Sequence, residues 1–184
     1  QVRLGRPRDP APEALLQVTL AQAVLKGDKM DDVIRDAVMI GAKAVRPVVT
    51  ARTETTAAVI EKSRRQERWE RIAISAAKQC GRAVVPAILE PVTFEALIDL
   101  LLQKWLAGPS IMLVEPGATK AAVPFCELDV EPPDAVTLVV GPEGGWTPEE
   151  IEAAGVVCRL VTMGRRTLRA DAMGLIAIAA AFAR

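Results

Sequence analysis

The chain is predicted to fold as an α/β domain, a mostly parallel sheet flanked by helices. Short aliphatic and β-branched runs alternate with helix-period segments along its length, the pattern of parallel strands joined by helical crossovers. Residues 138–150, LVVGPEGGWTPEE, run from an apolar strand through a glycine-rich elbow into a capped helix. That is the unit at which α/β sheets bind nucleotide-like ligands. Finally, 51% of the residues are hydrophobic but only 3% aromatic, so the core must be built from Val, Ile, Leu and Ala.

Residues 1–14 are rich in Pro and Arg, lack periodicity, and read as a linker; residues 15–184 form the folded domain. Residues 15–25 carry a β-type apolar run. Asp28 is placed to cap a helix in which Met30, Val33, Ile34, Ala37 and Val38 follow the spacing of one buried face, and Gly41 ends it. A strand over 44–50 follows, then a long helix over 56–80 with Gly81 as its stop. Next come a strand over 84–89, a helix over 94–105 and a strand over 111–115. Strand 137–140 feeds the elbow, and strand 156–163 feeds a second loop, MGRRTLRADAMGL, over 163–175. The closing helix, Ala170–Phe182, is rich in small residues, which suits close packing on a sheet or on a second subunit. There is no internal repeat and no low-complexity segment.

At 184 residues the chain is long enough for one well-buried domain. It contains no histidine, which excludes imidazole base catalysis and His-ligated metals. Cys80, Cys126 and Cys158 are odd in number and lack CxxC spacing, as expected of a reducing, cytoplasmic setting without a zinc site. No basic-then-apolar signal opens the chain, and the longest apolar run, 177–183, is too short to cross a bilayer. A net charge of zero argues against indiscriminate binding to nucleic acid. The positive charge is clustered, however. Arg64, Arg65, Arg68, Arg71, Lys78 and Arg82 lie on or just past one helix, and Arg165, Arg166 and Arg169 crowd the last loop. The first cluster reads either as a solvated face or as a set of phosphate contacts, for which the planar guanidinium is suited.

In the elbow, Gly141, Gly144 and Gly145 remove Cβ atoms where the chain turns, which lets backbone groups face a ligand. Thr147 supplies an N-cap, Pro148 fits the first helical position, and Glu150 completes a capping box. The elbow matches neither the dinucleotide fingerprint nor the P-loop, so a purely structural turn competes with a binding loop.

Taken together, GPEGGW and the downstream MGRRTLRADA resemble the SPOUT class of knotted RNA methyltransferases. In particular they resemble the RsmE type, the family that methylates N3 of a uridine in 16S ribosomal RNA. The family pattern is GPEGG-x-[ST]-x-x-E followed by LG-x-R-x-LR-x-E-T. Lys26-Gly27-Asp28-Lys29-Met30, Trp69-Glu70, and Gln79-Cys80-Gly81-Arg82 with Val85-Pro86 look similar too. The matched motifs span residues 18–182 in the family's order.

The resemblance implies a C-terminal trefoil knot in which the last helix threads a loop, and a homodimer formed through the same region. It implies S-adenosyl-L-methionine as cofactor, held by Leu113, Glu115 and Pro116, by Gly141, Pro142, Glu143, Gly144 and Gly145, and by Met163, Gly164 and Leu168. Glu115 has a competing reading as an ordinary strand-end carboxylate, and Glu143 as a cap on the next turn. Arg169 is the candidate for stabilising negative charge on the base, and Asp171 for orienting N3–H or accepting its proton. A competing reading pairs those two residues with each other at a helix N-terminus. Gln79, Arg82, Arg165 and Arg166 are the candidates for contact with RNA, which would belong to the 30S subunit; Gln79 and Arg82 are read as facing either the RNA or the partner subunit's site. Neither a metal nor a membrane is implied. Family members carry an N-terminal PUA-like RNA-binding domain, of which residues 1–14 would be the remnant. The chain departs from the pattern at Asp171-Ala172 (Glu-Thr in the family), Met39-Ile40-Gly41 (Glu-Leu-Gly) and Thr53 (Cys). The rival readings are a SPOUT enzyme acting on another RNA position, and a non-catalytic RNA- or nucleotide-binding domain that kept the fold.

Overall fold

The computed structural model describes residues 9–128 and 134–183. Residues 1–8 of the expected linker lie outside them. In chain order the elements are β1 (Gln17–Ala23), α1 (Lys29–Ile40), β2 (Ala44–Val49), α2 (Ala57–Lys62), α3 (Arg65–Cys80), β3 (Ala87–Ile88), β4 (Val92–Thr93), α4 (Phe94–Leu102), β5 (Ser110–Leu113), β6 (Val123–Pro124), β7 (Ala135–Val140), α5 (Pro148–Gly155), β8 (Arg159–Thr162) and α6 (Ala170–Phe182).

Every described strand pairing is parallel, in the order β3-β2-β1-β7-β5-β8-β6, with β4 also pairing β2. Alternation along each strand sorts side chains to two faces. Val18, Leu20, Leu113, Leu138 and Val140 face α1, α3 and α6, where Val33, Ile34, Ala73 and Ile178 complete one core. Ala21, Val48, Met112, Val139 and Leu160 face α4 and α5, where Leu97, Phe94 and Ala154 complete the other. This places the C-terminal ends of the central strands β1, β7 and β5 side by side at one edge of the sheet.

After β8, which pairs β5, the chain crosses back over those strand ends and lays α6 against α1, β1 and β7. Gly174 makes the close approach possible. A Cβ there would lie 3.1 Å from Gln22 Oε1 and 3.2 Å from Leu20 Cδ2.

Several elements differ from the sequence expectation. The single helix over 56–80 is two helices, broken at Ser63 and Arg64. Ser63 Oγ donates to the Ile60 carbonyl at 3.0 Å and Arg64 takes φ +52°, so a local hydrogen bond and a left-handed residue replace a helical turn. Asp28 does not cap α1; its carboxylate instead accepts from Arg68 of α3 at 2.9 Å. The strand over 156–163 begins only at Arg159, because Val156 closes α5 and is 78% exposed. The short strands β4 and β6 were not anticipated. Gly41 (φ +116°) and Gly81 (φ +77°) end their helices as expected. The described part of the expected linker is tied down: Ala11 N–H donates to the Gly81 carbonyl at 2.8 Å, and Glu13 pairs with Arg82.

Candidate active site

The elbow after β7 is pinned from several directions. Trp146 stands against Gly141, where a Cβ would come within 2.9 Å of the indole, and its Nε1–H donates to the Leu113 carbonyl at the end of β5 at 2.8 Å. Its ring packs on Phe94, with centroids 5.4 Å apart. Gly145 has φ +69°, and a Cβ there would meet Glu115 Oε1 at 2.4 Å. The turn requires the glycine through its left-handed φ, and the Glu115 carboxylate lies over the space a side chain would take. Gly144 is not open to a ligand as expected; a Cβ there would face Arg52, whose Nη1 donates to the Gly144 carbonyl at 2.7 Å.

Just beyond the elbow the capping box is present. Glu150 N–H donates to Thr147 Oγ1 and Thr147 N–H to Glu150 Oε2. Glu150 Oε1 also accepts the Ala51 N–H at 2.8 Å, which ties α5 to the loop after β2.

Against this elbow lies a cavity of about 300 Å³. Its apolar walls are Leu113, Val114, Val140, Trp146, Leu168 and Met173; its polar groups are Lys29, Glu115, Glu143, Thr167, Arg169 and Asp171. Pro116, Gly141, Pro142 and Ala170 complete the lining. Of the expected cofactor residues, Leu113, Glu115, Pro116, Gly141, Pro142, Glu143 and Leu168 meet here. Gly144, Gly145, Met163 and Gly164 stand outside the lining.

Arg169 and Asp171 both face the cavity and hold each other in a bidentate pair at the start of α6, with Nε to Oδ1 at 3.0 Å and Nη2 to Oδ2 at 2.5 Å. The Arg169 guanidinium holds the Asp171 carboxyl below the usual carboxylate range, and is itself raised by Asp171. In the same lining, Lys29 Nζ donates to Glu143 Oε1 at 2.9 Å, and the Lys26 amide adds a longer bond at 3.3 Å. Partial burial alone would raise the Glu143 carboxyl. The Lys29 ammonium and the backbone amides outweigh it, so the group stays ionised more readily than an ordinary glutamate.

Lys29 and Trp146 were missed as cavity residues. Each sits in a quoted motif, but a motif does not say which way a side chain points. The candidate RNA residues separate. Arg165 and Arg166 are exposed on the loop beside the cavity, and Gln79 is exposed in a shallow groove with Asp32 and Arg35. Arg82 is not on the surface: its side chain is 6% exposed and turns inward, donating to the Val38 and Ala42 carbonyls at 2.8 and 3.0 Å and pairing with Glu13. It ties the last turn of α1, at Val38, to the loop that follows it, at Ala42. No group of metal-binding side chains is present among the described residues.

Residues 12–182 match the RNA methyltransferase domain. The chain belongs to that family. It is similar to the "Ribosomal RNA small subunit methyltransferase E" of Synechocystis sp., 33% identical over 172 residues, and to that of Bacillus subtilis, 29% identical over 175. Both alignments cover 91% of this chain, which spans 53% of the first protein and 66% of the second. The family fold is shared with a Ribosomal RNA small subunit methyltransferase E from Neisseria gonorrhoeae solved with S-adenosyl methionine (TM-score 0.78, 32% identity, 92% of this chain and 66% of that one). A Legionella pneumophila protein solved with the same cofactor superposes with a TM-score of 0.80 at 27% identity, over 93% of this chain and 67% of that one.

Proposed function

We propose that this domain is an S-adenosyl-L-methionine-dependent methyltransferase acting on N3 of a uridine in 16S ribosomal RNA, and that the cavity at the elbow is its active site. The observation that carries the reading is convergence. The glycine elbow and the LR-x-D segment, read separately as binding and catalytic motifs, line one cavity with an oriented Arg–carboxylate pair at its edge.

The residues present fit the cofactor. A volume of about 300 Å³ is within the range of small-ligand sites. Leu113, Val140, Trp146 and Leu168 offer apolar walls to a purine and a thioether, and Glu115 and Glu143 offer carboxylates to hydroxyl and ammonium groups. In this reading Leu113, Glu115, Pro116, Gly141, Pro142, Glu143 and Leu168 hold it directly. Gly145 acts by seating Glu115, Gly144 by holding Arg52, and Met163 and Gly164 by shaping the last loop. When bound, the cofactor supplies a methyl carbon on a sulfonium, which leaves its bonding pair on sulfur as the nucleophile's lone pair forms the new bond.

Uridine N3 becomes that nucleophile only after losing its proton, so the site must stabilise the anion formed. Arg169 supplies positive charge at the cavity edge. Asp171, held ionised by Arg169, is a poor proton acceptor near neutral pH, so its part is to orient that guanidinium. The proton leaves to water. Exposed Arg165, Arg166 and Gln79 serve as RNA contacts on the 30S subunit.

The crossing of α6 back over the strand ends supports the trefoil knot. That helix is apolar around its whole circumference, and its incompletely covered outer face at Ile176 and Ala179 supports a homodimer. No helix among the described residues is long and apolar enough to cross a membrane. A ribosomal RNA substrate supports a cytoplasmic site of action.

The test is to incubate the chain with unmodified 30S subunits and labelled cofactor, then map the product by mass spectrometry. Methyl on uridine N3 is expected. Methyl on another atom would make this a SPOUT enzyme of different specificity. No transfer, with no cofactor binding by calorimetry, would leave an RNA- or nucleotide-binding domain.

A further inference from the structure

Lys29 has no part in the reading above, yet it is a cation built into the cavity wall. It occupies the first helical position of α1, and its side chain is 38% exposed, against 25% for its partner Glu143. The ammonium reaches from α1 to the elbow and is held there at 2.9 Å. Besides Glu143, the charged groups facing it are Asp171 and Arg169 at the start of α6 and Glu115 after β5, which line the same cavity. Two ion pairs thus line the same cavity, Lys29–Glu143 and Arg169–Asp171, near enough that the Lys29 charge acts on Asp171 and the Glu143 charge on Arg169. Each presents one cation tethered by one carboxylate. The tether fixes the position of the charge before substrate arrives, which is what makes such a group effective on a developing anion.

The chemistry of the substrate calls for two such groups. N3 of a uracil ring lies between two carbonyls, and when its proton leaves, the charge spreads over both flanking oxygens. One cation can answer only one of them. Resting on the uridine-N3 reading, we propose that Lys29 is a second catalytic cation, binding one carbonyl oxygen of the uracil while Arg169 binds the other. The pair then reads the base as well as activating it. A cytosine presents an amino donor in place of one oxygen, and a fixed ammonium there has nothing to accept its hydrogen bond. The proton lost from N3 goes to solvent water, and no further reactant is required.

The experiment compares the wild-type chain with Lys29→Met, which keeps the apolar stem, and with Lys29→Arg, which restores the charge. Single-turnover methylation of unmodified 30S subunits is followed as a function of pH, and repeated on subunits containing 5-fluorouridine, whose N3 ionises more readily. Affinities for S-adenosylhomocysteine and for the subunit are measured separately. Lys29→Met should slow transfer about 100-fold, the scale of losing one preorganised donor to an anion. It should also move the rising limb of the rate to higher pH at saturating cofactor and leave subunit affinity within about twofold, since the contact forms as the charge develops; a change in cofactor affinity through the untethered Glu143 is read separately and does not enter that rate. The defect should shrink on the 5-fluorouridine substrate, and Lys29→Arg should recover most of the rate.

An unchanged rate in Lys29→Met beside an active wild type overturns the proposal and leaves the uridine-N3 reading intact. A loss of subunit affinity with a shallower salt dependence and a normal rate constant overturns it in favour of a phosphate contact. A wild type that methylates no uridine N3 overturns both.

Discussion

Arg169 and Asp171 hold each other at two points, and that bond decides what each can do. A carboxylate kept ionised by its partner orients charge well and takes up protons badly. Asp171→Asn should cut turnover about 100-fold while cofactor affinity, read by calorimetry, stays within about twofold; full activity would remove the pair from the mechanism. Gly145→Ala tests the elbow: a left-handed φ and a Cβ 2.4 Å from Glu115 together should lower stability by about 1–3 kcal/mol and weaken cofactor binding with it. A third residue speaks through pH. Burial pushes the Cys158 thiol from 9.0 up to about 12, so the unfolded chain ionises first as pH rises and the folded state loses stability across that interval. Cys158→Ala should flatten the alkaline limb of a denaturation series, and an unchanged limb would mean the thiol is not its cause. Many residues of the cavity were legible, because Gly141, Glu143, Arg169 and Asp171 lie in motifs with a chemical reason for their spacing. Arg82 was misread. Its partners Val38 and Ala42 belong to an element distant in sequence, and nothing local in QCGR reveals that a helix end is waiting there.

At the scale of elements, the alternation of strand and helix periods was sufficient for β1, α1, β2, β7, α5 and α6, with ends shifted by a few residues. Where tertiary contacts decide, sequence periodicity failed. The break between α2 and α3 has no glycine or proline to announce it, only Ser63 bonding back to Ile60. Strands β4 and β6 span only a pair of residues each, too short to show alternation. What holds the elements in register is often one side chain serving two of them. Glu150 caps its own helix and accepts Ala51 from the β2 loop, though it is almost fully buried. Glu150→Ala should therefore cost about 1–3 kcal/mol, more than an ordinary cap, because it also breaks the tie to the Ala51 amide of the β2 loop. Urea unfolding with an unchanged midpoint would refute that. Arg82→Ala should likewise lower the midpoint, and its RNA affinity under native conditions should match wild type.

For the whole molecule, the outer face of α6 makes a prediction of its own. Ile176→Glu should convert a dimer to monomer in sedimentation velocity; a wild type already monomeric would dismiss the helix as an interface. The sheet order has a different outcome. Its two innermost strands, β1 and β7, come from opposite halves of the chain, Gln17 lying beside Ala135. A ribosome must release most of the polypeptide before the middle of the sheet can zip together, and the walls contributed by Leu168 and Met173 arrive later still. Until then the aliphatic strands have no partner, and the nascent chain is open to chaperones and proteases. A product stalled or clipped short of α6 lacks Ala170, Asp171 and Met173 of the cavity lining and the helix that covers α1, β1 and β7, so quality control of an uncovered core decides its fate.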